Sequence, residues 1–230
     1  MADARLLVID NAMDHGTYRP VEHWAEMVGY SPESVYPPGG EALPDPDRYS
    51  HVIVTGSEDS INNLPSWARE EARWLKEAMD AGAALLGSCW GHQLIAVVLA
   101  GQGAVRRAAT PEFGWIEIPV ADGGGLLPSG TIQTFSSHFD EVIAGCHPEL
   151  RVLASSPHCA VQAARWGDRP VWGLQPHPEM SPEHAKELLA AGARTWPESA
   201  ERFHAALAGP VLDSGAGKIL VRRFLELPGG

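Results

Sequence analysis

Cysteine is scarce in this sequence: three in 230 residues, at Cys89, Cys146 and Cys159. An odd, sparse set builds no disulfide framework and suits a reducing compartment. Long apolar runs are missing too. None approaches the ~20 residues that span a bilayer, and the start, MADARLLVID, lacks the apolar stretch of a secretory signal. Basic residues are few: 17 Lys and Arg against 29 Asp and Glu leave a formal net charge of −12. That excludes the clustered cations which phosphate backbones and anionic membranes require. A P-loop is absent as well, because the Gly217-Lys218 pair has Leu212 five places before the glycine and Ile219 after the lysine. These absences leave the expectation of a cytoplasmic chain with no nucleic-acid partner and no membrane partner.

What is present is ordinary globular composition, 44% hydrophobic and 20% charged. A chain of this length buries a core without metal or disulfide staples. RLLVID, HVIVTGS and AALLGSC read as short buried strands; SWAREEARWLKEAMDAG and WGHQLIAVVLAG read as helices closed by Gly82 and Gly101. Strand and helix alternate over the first hundred residues, which predicts an α/β fold with a mainly parallel sheet. The middle is different. FGWIEIPV, TIQTFSSH, RVLASS and CAVQAARWG are strand-like pieces joined by turns, expected as antiparallel additions to that sheet. PVWGLQPHPE returns to the core, and Ser181-Pro182-Glu183 opens a helix. Two further helices are expected after Pro197. With no repeats or linkers, the reading is one domain over residues 1–230, its core about 5–190 and a helical C-terminal extension about 195–230.

The chemistry concentrates at Gly87-Ser88-Cys89-Trp90-Gly91, between a predicted strand and a predicted helix. This is a G-x-C-x-G nucleophile elbow, a tight turn that lifts a nucleophile above the sheet edge. Side chains two positions to either side would collide there, hence the glycines. Helix-start amides favour a thiolate and can hold a developing oxyanion. An inert buried cysteine is the plainer reading of the same residues.

A thiolate nucleophile needs a histidine base, and the base needs an orienting acceptor. The sequence has ten histidines, but His-Pro-Glu occurs twice, at His147-Pro148-Glu149 and His177-Pro178-Glu179. The second follows a buried strand and precedes a helix cap, at the strand end where open α/β sheets keep their sites. The first sits in a turn leading into a strand and reads as a solvated loop. Cys146 beside it suggests a metal, yet one Cys-His pair without a second ligand pair is weak. His92 and His138 read as packing or hydrogen-bonding residues. Most of the eight tryptophans read as core; Trp90, beside the thiol, and Trp115 are candidate pocket residues.

These segments resemble the class I (triad) glutamine amidotransferases. GSCWGHQ is similar to that family's nucleophile segment, GLQPHPE to its G-x-Q-x-H-P-E segment, and VTGSEDS (54–60) to its oxyanion-hole glycine loop. SSHFDEV (136–142) resembles the corresponding stretch of GMP synthase glutaminase domains. The resemblance covers about residues 5–190. It implies an open, mainly parallel, flavodoxin-like three-layer sandwich with added antiparallel strands. It also implies Cys89 as nucleophile, His177 as base and then acid, and Glu179 as the residue orienting it. Backbone N–H groups of Gly56 or Ser57 and of Trp90 would bind the oxyanion. Gln93 would contact the glutamyl group, with Ser137, His138 and Phe139 reading its α-amino end. The implied reaction forms a γ-glutamyl thioester with loss of ammonia or an amine, then hydrolyses it, with no cofactor and no metal.

Two positions depart from the family pattern: Pro176 stands where an aromatic residue is usual, and Ser88 replaces an aliphatic one. Neither is expected to touch the chemistry, although both reshape the pocket. No synthase lies in the chain. VTGSEDS and PEFGW (111–115) look most like stand-alone GMP-synthase-like amidotransferases and γ-glutamyl peptidases, so the expected substrate is glutamine or a γ-glutamyl conjugate. Two alternatives stay open. One is a glutaminase subunit that works only with a separate synthase; the other is a non-catalytic or redox-regulated binding protein on the same fold.

Overall fold

The computed structural model describes residues 4–228. Its strands are β1 (Leu6–Ile9), β2 (Glu33–Val35), β3 (His51–Val54), β4 (Ala84–Ser88), β5 (Val105–Val120), β6 (Gly130–Val142), β7 (Leu150–Ala154), β8 (Ala163–Trp166) and β9 (Val171–Leu174). The helices are α1 (Pro20–Val28), α2 (Ser66–Asp80), α3 (Trp90–Ala100), α4 (Pro182–Thr195), α5 (Ala200–Ala208) and α6 (Ala216–Leu225). All nine strands join one sheet in the order β2-β1-β3-β4-β9-β8-β7-β5-β6. Pairing is parallel from β2 through β9 and antiparallel from there to β6.

The parallel strands β1, β3 and β4 are buried throughout and read as continuous apolar runs because helices cover both faces. Alternation along β1 shows the layering. Leu7 and Ile9 pack with Val52, Val54 and Leu85 beneath Leu75 of α2 and Leu94 of α3. Leu6 and Val8 point the other way, into a cluster with Trp24 of α1 and Leu220, Val221 and Phe224 of α6. Each such side chain contributes about 1.5–3 kcal/mol by leaving water. A third cluster joins Phe135 of β6, Leu189 of α4 and Phe203 of α5. This is the expected three-layer α/β arrangement with antiparallel strands added to one edge.

Three features differ from the sequence reading. Helix α1 and strand β2 fall in a stretch that carried no clear pattern; β2 is three residues long and mostly exposed. Strands β5 and β6 are longer than FGWIEIPV and TIQTFSSH, with a register shift between Arg107 and Glu112. The C-terminal helices are no appendage: α5 buries Phe203 against Phe113, 4.1 Å between centroids, and α6 completes one face of the main core. The helix start at Ser181 is as read, its Oγ accepting the His184 N–H at 3.2 Å. No described helix is long and apolar enough to cross a membrane.

Candidate active site

Strands β4 and β9 are parallel neighbours, so their carboxyl ends deliver two loops to the same sheet edge. Cys89 stands between β4 and α3 with φ 49° and ψ −108°. A side-chain-bearing residue in such a conformation carries strain of order 1–3 kcal/mol, which the surrounding packing must hold. The flanking glycines are required by contact. A Cβ on Gly87 would lie 2.6 Å from the Gly91 carbonyl and the His92 nitrogen, and one on Gly91 would strike the Val54 backbone. The Cys89 N–H donates to the Leu174 carbonyl at 2.7 Å, tying the elbow to the end of β9.

The loop after β9 brings in the second tripeptide. The His177 N–H donates to the Phe135 carbonyl at 2.8 Å, which seats the loop against β6. Its Nδ1 lies 2.8 Å from Glu179 Oε1. A carboxylate only accepts, so Nδ1 carries the proton and Nε2 is the ring atom available to the Cys89 thiol. Burial works against a charged His177, but the Cys89 thiol and the Glu179 carboxylate outweigh it and hold the ring well above its ordinary range. Burial likewise opposes the Glu179 charge, while attraction to His177 and its hydrogen bonds keep the carboxyl below the usual value. Cys89, His177 and Glu179 are all buried, and the first two line a cleft of 290 Å³.

Two further donors reach Glu179. The Tyr18 hydroxyl donates to Oε1 at 2.8 Å and the Ser88 hydroxyl to Oε2 at 3.2 Å. Ser88 therefore reaches the candidate site, against expectation: in β4 it faces the carboxylate paired with the His177 imidazole. Tyr18 went unread because it precedes α1, in a segment without a motif.

The other expected residues divide. Ser57 and Trp90 line the cleft, and Trp90 opens α3, where first-turn amides have no intrahelical acceptor. Gly56 lies against the imidazole; a Cβ there would come within 2.7 Å of His177 Cε1. Gln93 lines the cleft, but its amide nitrogen is engaged, donating to the Asp140 carbonyl at 2.7 Å and to Gln175 Oε1 at 3.2 Å. Ser137 and Phe139 are cleft residues, and the Cys89 Sγ lies 3.6 Å from the Ser137 carbonyl. His138 borders the cleft too, but its ring is engaged elsewhere, its Nδ1 with the Asp140 carbonyl at 3.0 Å and its Nε2 with Glu112 at 3.1 Å.

His147 is outside this cleft, in the turn before β7, where its Nδ1 accepts the Glu149 N–H. Trp115 packs on Phe135 and does not line the cleft. Burial pushes His92 down to about 3, a neutral packing residue. The sequence reading also missed Gln175, whose side-chain nitrogen is 3.6 Å from Cys89 Sγ, and Arg107, whose guanidinium lies 4.3 Å over the Phe139 ring at the cleft.

One group of donors among the described residues has metal-like proximity: Glu112, His138 and Cys159, with ligand atoms within 4.8 Å of one another. Glu112 accepts from the His138 ring, Ser156 and Gln162, so these four form a hydrogen-bond network, and burial pushes the neighbouring Cys159 thiol up to about 12.

The fold is an α/β protein with a thiol on a strand-to-helix elbow and an imidazole–carboxylate pair at the neighbouring strand end. The chain belongs to the class I glutamine amidotransferases: that family's model, glutamine amidotransferase class-I, matches residues 38–195. It is 36% identical over 168 residues to the glutamine-hydrolysing GMP synthase of Aeropyrum pernix, covering 68% of this chain but 30% of that protein. Against a glutamine-hydrolysing GMP synthase subunit from Methanopyrus kandleri it is 30% identical over 190 residues, 80% of this chain and 94% of that one. A crystal structure of a glutamine amidotransferase from Thermotoga maritima superposes with a TM-score of 0.76 at 20% identity, covering 98% of each chain.

Proposed function

We propose that this chain hydrolyses the γ-carboxamide of glutamine or the amide bond of a γ-glutamyl conjugate, through a γ-glutamyl thioester on Cys89. The observation that carries the reading is the His177 Nδ1–Glu179 contact at 2.8 Å beside a thiol on a strained elbow. His177 Nε2 takes the thiol proton as sulfur attacks the carbonyl. The oxyanion is held by backbone N–H groups of Gly56 or Ser57 and of Trp90. His177 then gives the proton to the departing nitrogen, the C–N bond breaks, and water admitted to the cleft cleaves the C–S bond with His177 as base. Ser137 and Phe139 hold the glutamyl backbone through main-chain groups, and Gln93 meets it through its carbonyl oxygen. Glu179 fixes the ring tautomer and stabilises the imidazolium.

Glutamate release by the purified protein, from glutamine and from a small set of γ-glutamyl amides, tests the reading. Release that disappears in Cys89→Ser supports it. Release that survives that substitution refutes it. The match to nearly the whole of a protein named as one subunit of a GMP synthase favours a second reading, a glutaminase that turns over only with a separate synthase. In that case release stays low until a synthase is added.

A further inference from the structure

The glutamyl group put forward above carries an α-carboxylate as well as the carbonyl that Cys89 attacks. Most of the charge around the cleft opposes that anion. Glu58, Asp59 and Asp140 line the cleft as acids, and the His177 ring is already paired with Glu179. Among the described residues, Arg107 is the one Lys or Arg that lines this cleft.

Arg107 is held in place without being used up. It lies on β5 opposite Asp140 of β6, at the edge of the register shift. Its guanidinium carbon sits 4.3 Å over the centroid of the Phe139 ring. That ring is itself fixed, edge-on to Phe113 at 5.0 Å and to Trp196 at 5.3 Å between centroids. The Arg107 Nη1 lies 3.5 Å from Asp140 Oδ1, too far for a strong hydrogen bond. Asp140 is committed elsewhere, its Oδ2 accepting the Ser60 hydroxyl at 2.5 Å. The Arg107 side chain is 58% exposed, so its other N–H groups are open to a ligand. A guanidinium presents five donors in one plane, a fork that matches a carboxylate.

The distances along β6 fit. The Cys89 Sγ lies 3.6 Å from the Ser137 carbonyl. Phe139 follows two residues later, about 6.8 Å along a strand and on the same face. Four C–C bonds of about 1.5 Å separate the scissile carbonyl carbon from the α-carboxyl carbon, an extended reach of about 5 Å. A glutamyl group attached at Cys89 and laid along β6 therefore brings its carboxylate to the ring that carries Arg107.

We propose that Arg107 binds the α-carboxylate of the glutamyl group and restricts the site to γ-glutamyl compounds in which that carboxylate is free. The proposal rests on the γ-glutamyl hydrolysis put forward above and names how that site selects its substrate. Arg107 takes no part in breaking the C–N bond, which remains with Cys89 and His177. A merely structural Arg107, paired with Asp140 across the hairpin, would affect every substrate alike.

The test compares three amides: glutamine, 4-aminobutanamide, which lacks the α-carboxylate, and 4-carbamoylbutanoic acid, which lacks the α-amino group instead. Wild type is expected to prefer glutamine to 4-aminobutanamide by about tenfold to a hundredfold in kcat/KM, mainly through KM, as for a charge-assisted pair. Arg107→Gln should lose most of that preference, and Arg107→Lys, a point charge without the fork, should keep part of it. The preference for glutamine over 4-carbamoylbutanoic acid should be the same in all three proteins. Where an analogue binds without turnover, its inhibition constant against glutamine replaces KM in the comparison. A preference over 4-aminobutanamide that survives Arg107→Gln overturns the assignment, as does an equal fall in both preferences; either result leaves the hydrolysis standing. No Cys89-dependent release from any of the three removes hydrolysis by the chain on its own instead. Binding is then read by calorimetry: glutamate should bind about tenfold or more tightly than 4-aminobutanoate, with the advantage lost in Arg107→Gln. Equal or absent binding overturns the assignment.

Discussion

The Tyr18 hydroxyl donates to Glu179 Oε1 at 2.8 Å, joining residues 161 positions apart through the same oxygen that holds the His177 ring. Tyr18 also packs edge-on against His177, 5.6 Å between centroids. Its own ionisation is suppressed by burial and by the neighbouring Glu179, so it remains a donor. We assign it a positioning role. Tyr18→Phe keeps the ring contact and removes one hydrogen bond to a buried carboxylate, a loss of about 1.5–3 kcal/mol. The expected result is a drop in kcat/KM of about tenfold to a hundredfold, with the acidic limb of the pH–rate profile displaced. An unchanged profile in a well-folded variant would count against the role.

Cys89→Ser and His177→Ala are each expected to lower glutamate release by about a thousandfold or more, as for groups acting as one unit. His147→Ala should stay near wild type, because that ring lies in the turn before β7, outside the cleft. A large loss at His147 would show that the wrong tripeptide has been assigned.

Gly56 has no room for a methyl group, since a Cβ would come within 2.7 Å of His177 Cε1 and 3.2 Å of the Tyr18 hydroxyl. Gly56→Ala should therefore displace the imidazole while the sheet remains intact. Misplacement on that scale costs about a hundredfold in rate. Circular dichroism should match wild type; an active Gly56→Ala enzyme would contradict the packing.

Glu71 on α2 is fully buried, its Oε1 accepting from Asn11 at 3.1 Å, and burial pushes its carboxyl up to about 8. Unfolded, it titrates near 4.5. Between those values the folded state keeps a proton that the unfolded chain has lost, so stability declines as pH rises through that window. Glu71→Gln removes the titration. Urea unfolding at pH 5 and pH 8 should show the variant gaining on wild type at the higher pH, by of order a few kcal/mol at most. A constant difference between the two proteins would mean that Glu71 is ionised in the folded state.

Much of this molecule was legible because its signals are local. The apolar runs of β1, β3, β4 and β9 announce themselves over four or five residues, and the elbow is a strand, a turn and a helix start within residues 84–91. The His-Pro-Glu link keeps an imidazole and a carboxylate together whatever surrounds them. Helix α1 and strand β2 were not legible, since the three residues of β2 and a nine-residue helix carry too little periodicity. The lengths of β5 and β6 were hidden by the register shift between Arg107 and Glu112, which only pairing reveals.

By itself, the order of amino acids determined which thiol and which imidazole–carboxylate pair to examine, because glycine spacing and a proline-stiffened tripeptide impose their geometry over a few bonds. Tertiary structure alone decided what surrounds them. The neighbouring of β4 and β9 aims Ser88 at Glu179, Tyr18 arrives from before α1, and α4 lines a second cavity beside the first. Those contacts join residues from distant parts of the chain, and such distances are set by sheet order and helix packing, which no local pattern of residues encodes.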